Sequence, residues 1–109
     1  MDFDIKKGWY AKIEGDNLRQ LMESVFGNAK VEGDVIVSSY GLMSRIEAKV
    51  VSKSVMDVTT VNIADAGSAP DETILDSKRK LNVFLEEATG FDAKARQKRA
   101  KDKAKKGML

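Results

Sequence analysis

Residues 35–51 read VIVSSYGLMSRIEAKVV and form the centre of a β-rich region. Up to Val50, the apolar residues that begin at Ile46 alternate with charged ones, which is typical of a strand with one buried face and one charged face. Residues 35–40 predict a neighbouring strand that is apolar on both faces at its start. Gly41 predicts the break between the two strands.

The surrounding region, residues 29–63, shows no helical period and predicts a four-stranded antiparallel meander. Turns are predicted at residues 32–34 and 52–54. Towards the end of the region, the apolar residues change parity near Thr59-Thr60. This change predicts either a β-bulge at that point or a strand buried on both faces.

A helix is predicted before the meander. Its apolar residues recur at helical spacing and form one stripe: Leu18, Leu21, Met22, Val25 and Phe26. The carboxylate of Asp16 is predicted to cap the start of this helix. Gly27 is predicted to end it in a left-handed conformation.

Residues 8–14 alternate between apolar and polar side chains and predict the first strand. The alternation places Trp9 and Ile13 on the buried face and Tyr10 on the opposite face. With Val51, Tyr10 would then belong to a sheet face of mixed charge, which suits a homodimer interface. We therefore expect a homodimer.

A second helix is predicted after the meander. Ser68 is expected to cap it, with the only proline, Pro70, in its first turn. Gly90 is expected to end it. Its apolar face consists of Ile74, Leu81, Phe84, Leu85 and Ala88. Asp92 is then expected to cap a third helix that runs through residue 106 and is rich in good helix formers.

These elements predict an α+β fold of the order β-α-β-β-β-β-α, with helices covering one face of an antiparallel sheet. This order resembles one repeat of the TATA-binding-protein-like fold, and also the helix-grip folds. The likeness is one of topology and implies no functional residues. We expect a single domain over residues 1–91 and a basic, helical tail over residues 92–109.

The charge of the chain is unevenly distributed. Residues 1–91 hold 11 Lys/Arg and 15 Asp/Glu, a net charge of −4, whereas residues 92–109 hold 8 Lys/Arg and 2 Asp/Glu, a net charge of +6. A mildly acidic body with a basic tail indicates an interaction arm. The candidate binding residues are Lys94, Arg96, Lys98, Arg99, Lys101, Lys103, Lys105 and Lys106. On a helix, Lys94, Lys98, Lys101 and Lys105 fall on one face.

Histidine and cysteine are absent from the sequence. Their absence excludes disulfides and thiolate zinc sites, and it removes the usual general base and the commonest metal ligand. We expect no enzymatic activity, no cofactor and no metal site. No apolar run reaches the length of a membrane span, so we expect a cytoplasmic protein without a membrane partner.

Several segments resemble a small archaeal protein family of uncharacterised function. They are Gly8-Trp9-Tyr10, residues 14–19, Ser39-Tyr40-Gly41 and, most specifically, residues 84–91 (FLEEATGF) followed by Lys98-Arg99-Ala100. The resemblance extends over nearly the whole chain. It implies an archaeal cytosolic protein and supplies no activity.

The tail suggests low-specificity binding to RNA, DNA or a ribonucleoprotein, because its cations can neutralise phosphates while it offers no aromatic residue for base stacking. Alternatively, the chain is a homo-oligomeric interaction protein whose tail packs on the acidic surface of a partner. A further alternative is that the tail binds nothing and is a solvated extension of the domain. A binder of small ligands, with a pocket between helix and sheet, is a third class.

Overall fold

The computed structural model describes residues 2–64 and 66–107. The strands are β1 (Asp2–Asp4), β2 (Lys30–Glu32), β3 (Val35–Tyr40), β4 (Met43–Ser52) and β5 (Val55–Asn62), and the helices are α1 (Asn17–Phe26), α2 (Asp71–Thr89) and α3 (Ala93–Gly107). Short 3-10 turns lie at Tyr10–Lys12 and Ala66–Ser68. The predicted α+β class, element order and turns of the meander are confirmed.

The strands form one antiparallel sheet in the order β1-β5-β4-β3-β2. The helices α1 and α2 contribute one side of the core, and β4 and β5 contribute the other. The rings of Phe26 in α1 and Phe84 in α2 meet with their centroids 5.4 Å apart. The largest contributors from the sheet are Ile46 and Met56, both fully buried. Burying a side chain of this size stabilises the fold by about 1.5–3 kcal/mol.

The first helix has the predicted bounds and the predicted buried stripe. Gly27, at φ 84°, ends α1, and Gly90, at φ 81°, ends α2, both in the left-handed conformation that favours glycine. Asp16 is the N-cap residue of α1, as predicted, but its carboxylate caps no backbone N–H and instead accepts hydrogen bonds from Arg19 Nε at 2.8 Å and Arg19 Nη2 at 2.9 Å. The backbone of Asp16 lies in the right-handed helical region, and side-chain caps usually require an extended backbone at that position.

The strand predicted over residues 8–14 is also wrong. These residues form the 3-10 turn at Tyr10–Lys12, and the first strand is instead β1, which pairs with β5 at the edge of the sheet. Trp9 and Ile13 are four residues apart, and this spacing places two residues on the same side of either a helical turn or a strand. The pattern is therefore compatible with both structures. Tyr10 consequently packs against the core and does not lie on the outer sheet face.

The irregularities in the pairing of β4 with β5 lie in β4. Met43 pairs with Asn62 and Arg45 pairs with Val61, which leaves Ser44 as an extra residue in β4. This irregularity allows both Met43 and Ile46 to face the core. The bulge predicted near Thr59-Thr60 is therefore wrong, because those residues pair regularly with β4 and the later apolar residue Val61 is exposed.

The second helix begins later than predicted. Ser68 belongs to a 3-10 turn, and Pro70 is the residue that precedes the helix, at φ −57° and ψ 144°. A proline disfavours the helical conformation in the residue before it, so the helix cannot start upstream of Pro70. Asp71 and Glu72 occupy the first turn, next to the positive end of the helix dipole.

Candidate nucleic-acid interface

The third helix starts where the sequence predicts. Asp92 Oδ1 accepts a hydrogen bond from the Ala95 amide at 2.8 Å, which caps the first turn of α3. Only three residues separate the end of α2 at Thr89 from the start of α3 at Ala93. The direction of α3 relative to the body depends on contacts made by its own side chains.

Arg96 makes the first of these contacts. Its Nη1 donates to the Phe91 carbonyl oxygen at 2.6 Å, and its Nη2 donates to Asn82 Oδ1 at 2.9 Å. Burial of the guanidinium against the body lowers the pKa of Arg96 below its usual range, while Glu86 and Asp92 oppose that effect. An arginine remains charged under these conditions. Arg96 thus joins the start of α3 to α2.

Arg99, one turn further on, makes the second contact. Its Nη1 lies 3.0 Å from Asp4 Oδ2 in β1, and its guanidinium carbon lies 4.1 Å from the centroid of the Phe91 ring. The Asp4 side chain is only 18% exposed, so the ion pair is partly shielded from solvent. Together, Arg96 and Arg99 hold the first turns of α3 against the body.

The docked helix leaves a small cleft between α3 and β1. Its volume is about 210 Å³, and Phe3, Phe91 and Ala100 are among its lining residues. Sites for small molecules usually measure about 300–1,000 Å³. The cleft is therefore smaller than the sites that usually hold small molecules.

Three lysines of α3 lie on the other side of the helix from these arginines. At 3.6 residues per turn, Lys94, Lys98 and Lys101 fall within an arc of about 60°, and Arg96 and Arg99 fall on the opposite half of the helix. We call Lys94, Lys98 and Lys101 the lysine face. All three are exposed, and none of them forms a salt bridge with another described residue.

The structure thus divides the predicted site into two groups. Arg96 and Arg99 donate hydrogen bonds to the body of the same chain, and their predicted binding of a partner stays a prediction. The lysine face stays available at the surface. Lys103, Lys105 and Lys106 also belong to the predicted site, and their side chains lie outside the described residues.

The uncovered face of the sheet carries charges that pair with one another. Arg45 Nη2 lies 3.1 Å from Glu32 Oε1 and 2.8 Å from Glu47 Oε1. Val51 and Val61 are exposed on neighbouring strands. This face offers little net charge to a nucleic acid, and the homodimer that we expected from it stays a prediction.

Sequence reasoning overlooked a second basic region. Lys6 and Lys12 lie over the ring of Trp9, and Lys7 is exposed next to Lys6. The signal was present in the printed sequence, because residues 6–12 (KKGWYAK) hold three lysines, two aromatic residues and no acid.

Within the described ranges, no helix is long and apolar enough to cross a membrane. In the same part of the chain, no group of three or more His, Cys, Asp or Glu side chains is arranged to hold a metal ion.

Residues 1–102 match a family described as Domain of unknown function (DUF5611). The solution NMR structure of a hypothetical protein from Thermoplasma acidophilum is similar, with 33% sequence identity and a TM-score of 0.59. The match covers 91% of this chain and 95% of that chain. No curated protein matches. The predicted likeness to a small archaeal family of uncharacterised function is thereby confirmed.

Proposed function

Because this chain belongs to the family described as Domain of unknown function (DUF5611), which supplies no activity, we propose a function from its own surface: non-enzymatic, low-specificity binding of RNA, DNA or a ribonucleoprotein through α3. One observation carries the proposal. The arginines of α3 dock on the body, and this docking points the lysine face outward.

The spacing of the lysine face suits a chain of phosphates. With a rise of about 1.5 Å per residue, Lys94 and Lys101 are about 10 Å apart along the helix axis. In a duplex, successive phosphates of one strand are separated by about 3.4 Å along the axis, so the face spans several of them. Lysine binds phosphate as a point charge on a flexible stem, and it does not require one fixed geometry.

Docking also gives the helix a defined orientation. An isolated helix of this length is marginally stable in water. The contacts of Arg96 and Arg99 hold its first turns and reduce the ordering that a ligand would otherwise have to impose. The lysine face carries no aromatic residue and no side chain suited to reading base edges, so the binding would have low sequence specificity.

The test replaces the lysine face by glutamine: K94Q/K98Q/K101Q. The matched control, K30Q/K53Q/K78Q, removes the same charge from exposed lysines elsewhere. Binding of a labelled RNA or DNA duplex is followed by fluorescence anisotropy at low salt. We expect the first variant to lose at least tenfold in affinity and the control to lose much less. Equal losses would show that only the net charge matters and would overturn the proposal.

The ion pair between Arg99 and Asp4 favours the second candidate function, an oligomeric interaction protein. In the structure, Arg99 of α3 pairs with Asp4 of its own chain. If Arg99 of each chain paired instead with Asp4 of a second copy, the two chains would form a dimer. Light scattering of the full chain and of R99Q would test this function. A dimer that R99Q dissociates would favour it, and a monomer in both samples would exclude it.

A further inference from the structure

The segment of residues 6–12, here called the Trp9 loop, combines positive charge with an aromatic side chain. Lys6, Lys7 and Lys12 are exposed, and Trp9 is half-buried. Lys12 Nζ lies 4.1 Å from the centroid of the Trp9 ring, and Lys6 Nζ lies 5.8 Å from it. These are distances at which an ammonium group is attracted to an indole face.

The Trp9 ring is held in place by the body. Its Nε1 donates a hydrogen bond to the Glu87 carbonyl oxygen at 2.8 Å. The backbone of Gly90 lies against the ring so closely that an added Cβ would come 2.8 Å from Trp9 Cδ2. The ring is therefore rigid, whereas the Lys12 side chain that covers it is long and exposed.

The Trp9 loop adjoins the start of α3. The Lys6 amide donates to the Thr89 carbonyl oxygen at 2.8 Å, at the last residue of α2. Lys94 follows Gly90 by four residues, so it lies within about 14 Å of the glycine that supports the Trp9 ring. This distance is short enough for one strand of nucleic acid to span.

We propose that the Trp9 loop is a stacking platform for single-stranded nucleic acid and continues the surface that begins on the lysine face. A base would stack on the Trp9 ring in place of the Lys12 ammonium, which would move to an adjacent phosphate. Lys6 and Lys7 would contact further phosphates. This inference rests on the proposed function, and it adds a preference for single strands, because duplex bases are not free to stack on a side chain.

Trp9 is the only tryptophan of the chain, so its fluorescence reports on this site alone. The full-length protein is titrated with single-stranded oligo-dT, with single-stranded RNA, and with a duplex. Anisotropy of the labelled nucleic acid reports total binding in the same samples. We expect both single strands to quench Trp9 fluorescence as they saturate, and the duplex to bind without comparable quenching.

The variant K6Q/K7Q gives an independent readout that leaves Trp9 in place. We expect it to weaken binding of single strands about tenfold and to lower the slope of log affinity against log salt by roughly 1.4, since each phosphate contact on a single strand contributes about 0.7. The control K30Q/K78Q removes the same charge from exposed lysines far from the loop in sequence, and it should leave this slope almost unchanged.

The outcomes separate the two proposals. One outcome would overturn the stacking platform and keep the proposed function. In that outcome single strands bind the unmodified protein and bind K94Q/K98Q/K101Q more weakly. Binding does not change Trp9 fluorescence, however, and K6Q/K7Q binds single strands as tightly as the unmodified protein does. Quenching by the duplex equal to that by single strands would overturn the preference for single strands. Absence of binding to every nucleic acid would overturn both proposals.

Discussion

Arg99 and Asp4 connect the two ends of the described chain: Arg99 Nη1 in α3 lies 3.0 Å from Asp4 Oδ2 in β1. The contact holds a basic helix against the edge of the sheet. It also determines which cations of α3 face the body and which face the solvent, and the proposed function follows from that division.

Loss of this contact should loosen α3 without unfolding the domain. For R99Q we expect faster amide hydrogen exchange over residues 93–102, with a change of no more than about 1 kcal/mol in the free energy of unfolding, since partly exposed ion pairs contribute little. The control K98Q, on the lysine face, should leave exchange unchanged. Equal protection in R99Q and the unmodified protein would show that the ion pair does not hold the helix.

The carboxylate of Asp16 should titrate at unusually low pH. Hydrogen bonds from the Arg19 guanidinium, followed by that from Gln20, lower the pKa of Asp16 to about 2. A depressed folded-state pKa stabilises the protein above the unfolded-state value near 4, and this contribution disappears as the pH falls through about 2. D16N should therefore be less stable than the unmodified protein at pH 7, and the difference should shrink between pH 4 and 2. An NMR titration of the Asp16 carboxyl with a midpoint near 4 would contradict this prediction.

The turn between β3 and β4 has no room for a side chain at Gly41. An added Cβ would clash with Ser77 Oγ, which accepts a hydrogen bond from the Leu42 amide and donates one to the Thr73 carbonyl oxygen. G41A should therefore lower the free energy of unfolding by about 1–3 kcal/mol beyond the backbone strain alone. The matched control is G33A, because Gly33 has a similarly positive φ and open space around it. Equal losses in chemical denaturation would show that the contact with Ser77 is unimportant.

The core between the two helices should depend strongly on Phe84. Its side chain is fully buried and packs against Phe26. F84A should lower the free energy of unfolding by about 3–5 kcal/mol, because the lost contacts leave a cavity. Its neighbour Val83 is 39% exposed, so V83A serves as a control and should cost far less. Urea denaturation of both variants measures the difference, and similar losses would contradict this account of the core.

The sequence predicted the elements whose signals are local. The stripe of α1, the glycines that end α1 and α2, and the Asp92 cap of α3 each depend on residues within a turn or two of one another. Such patterns depend on local backbone geometry, and in this fold the tertiary contacts are consistent with them. These elements could therefore be predicted from the sequence.

The misplaced elements depend on contacts between distant residues. The strand β1 is only three residues long, too short for a pattern, and it forms by pairing with β5 more than fifty residues away. Residues 8–14 satisfy both a strand period and a single helical turn, and only packing against the end of α2 decides between the two. Helical spacing alone predicted that the lysines share one face. The docking of Arg96 and Arg99 could not be predicted in this way, because their partners Asn82 and Asp4 lie elsewhere in the chain.

The central claim is that α3 contacts phosphates through its lysine face. The most direct measurement is the salt dependence of duplex binding by the full-length protein, K94Q/K98Q/K101Q and K30Q/K53Q/K78Q. Each phosphate contact on a duplex contributes roughly 0.9 to the slope of log affinity against log salt. The account therefore predicts that the lysine-face variant, which removes three contacts, has a slope smaller in magnitude by about 2.7. The control should hardly change the slope. An unchanged slope in the lysine-face variant would contradict the account.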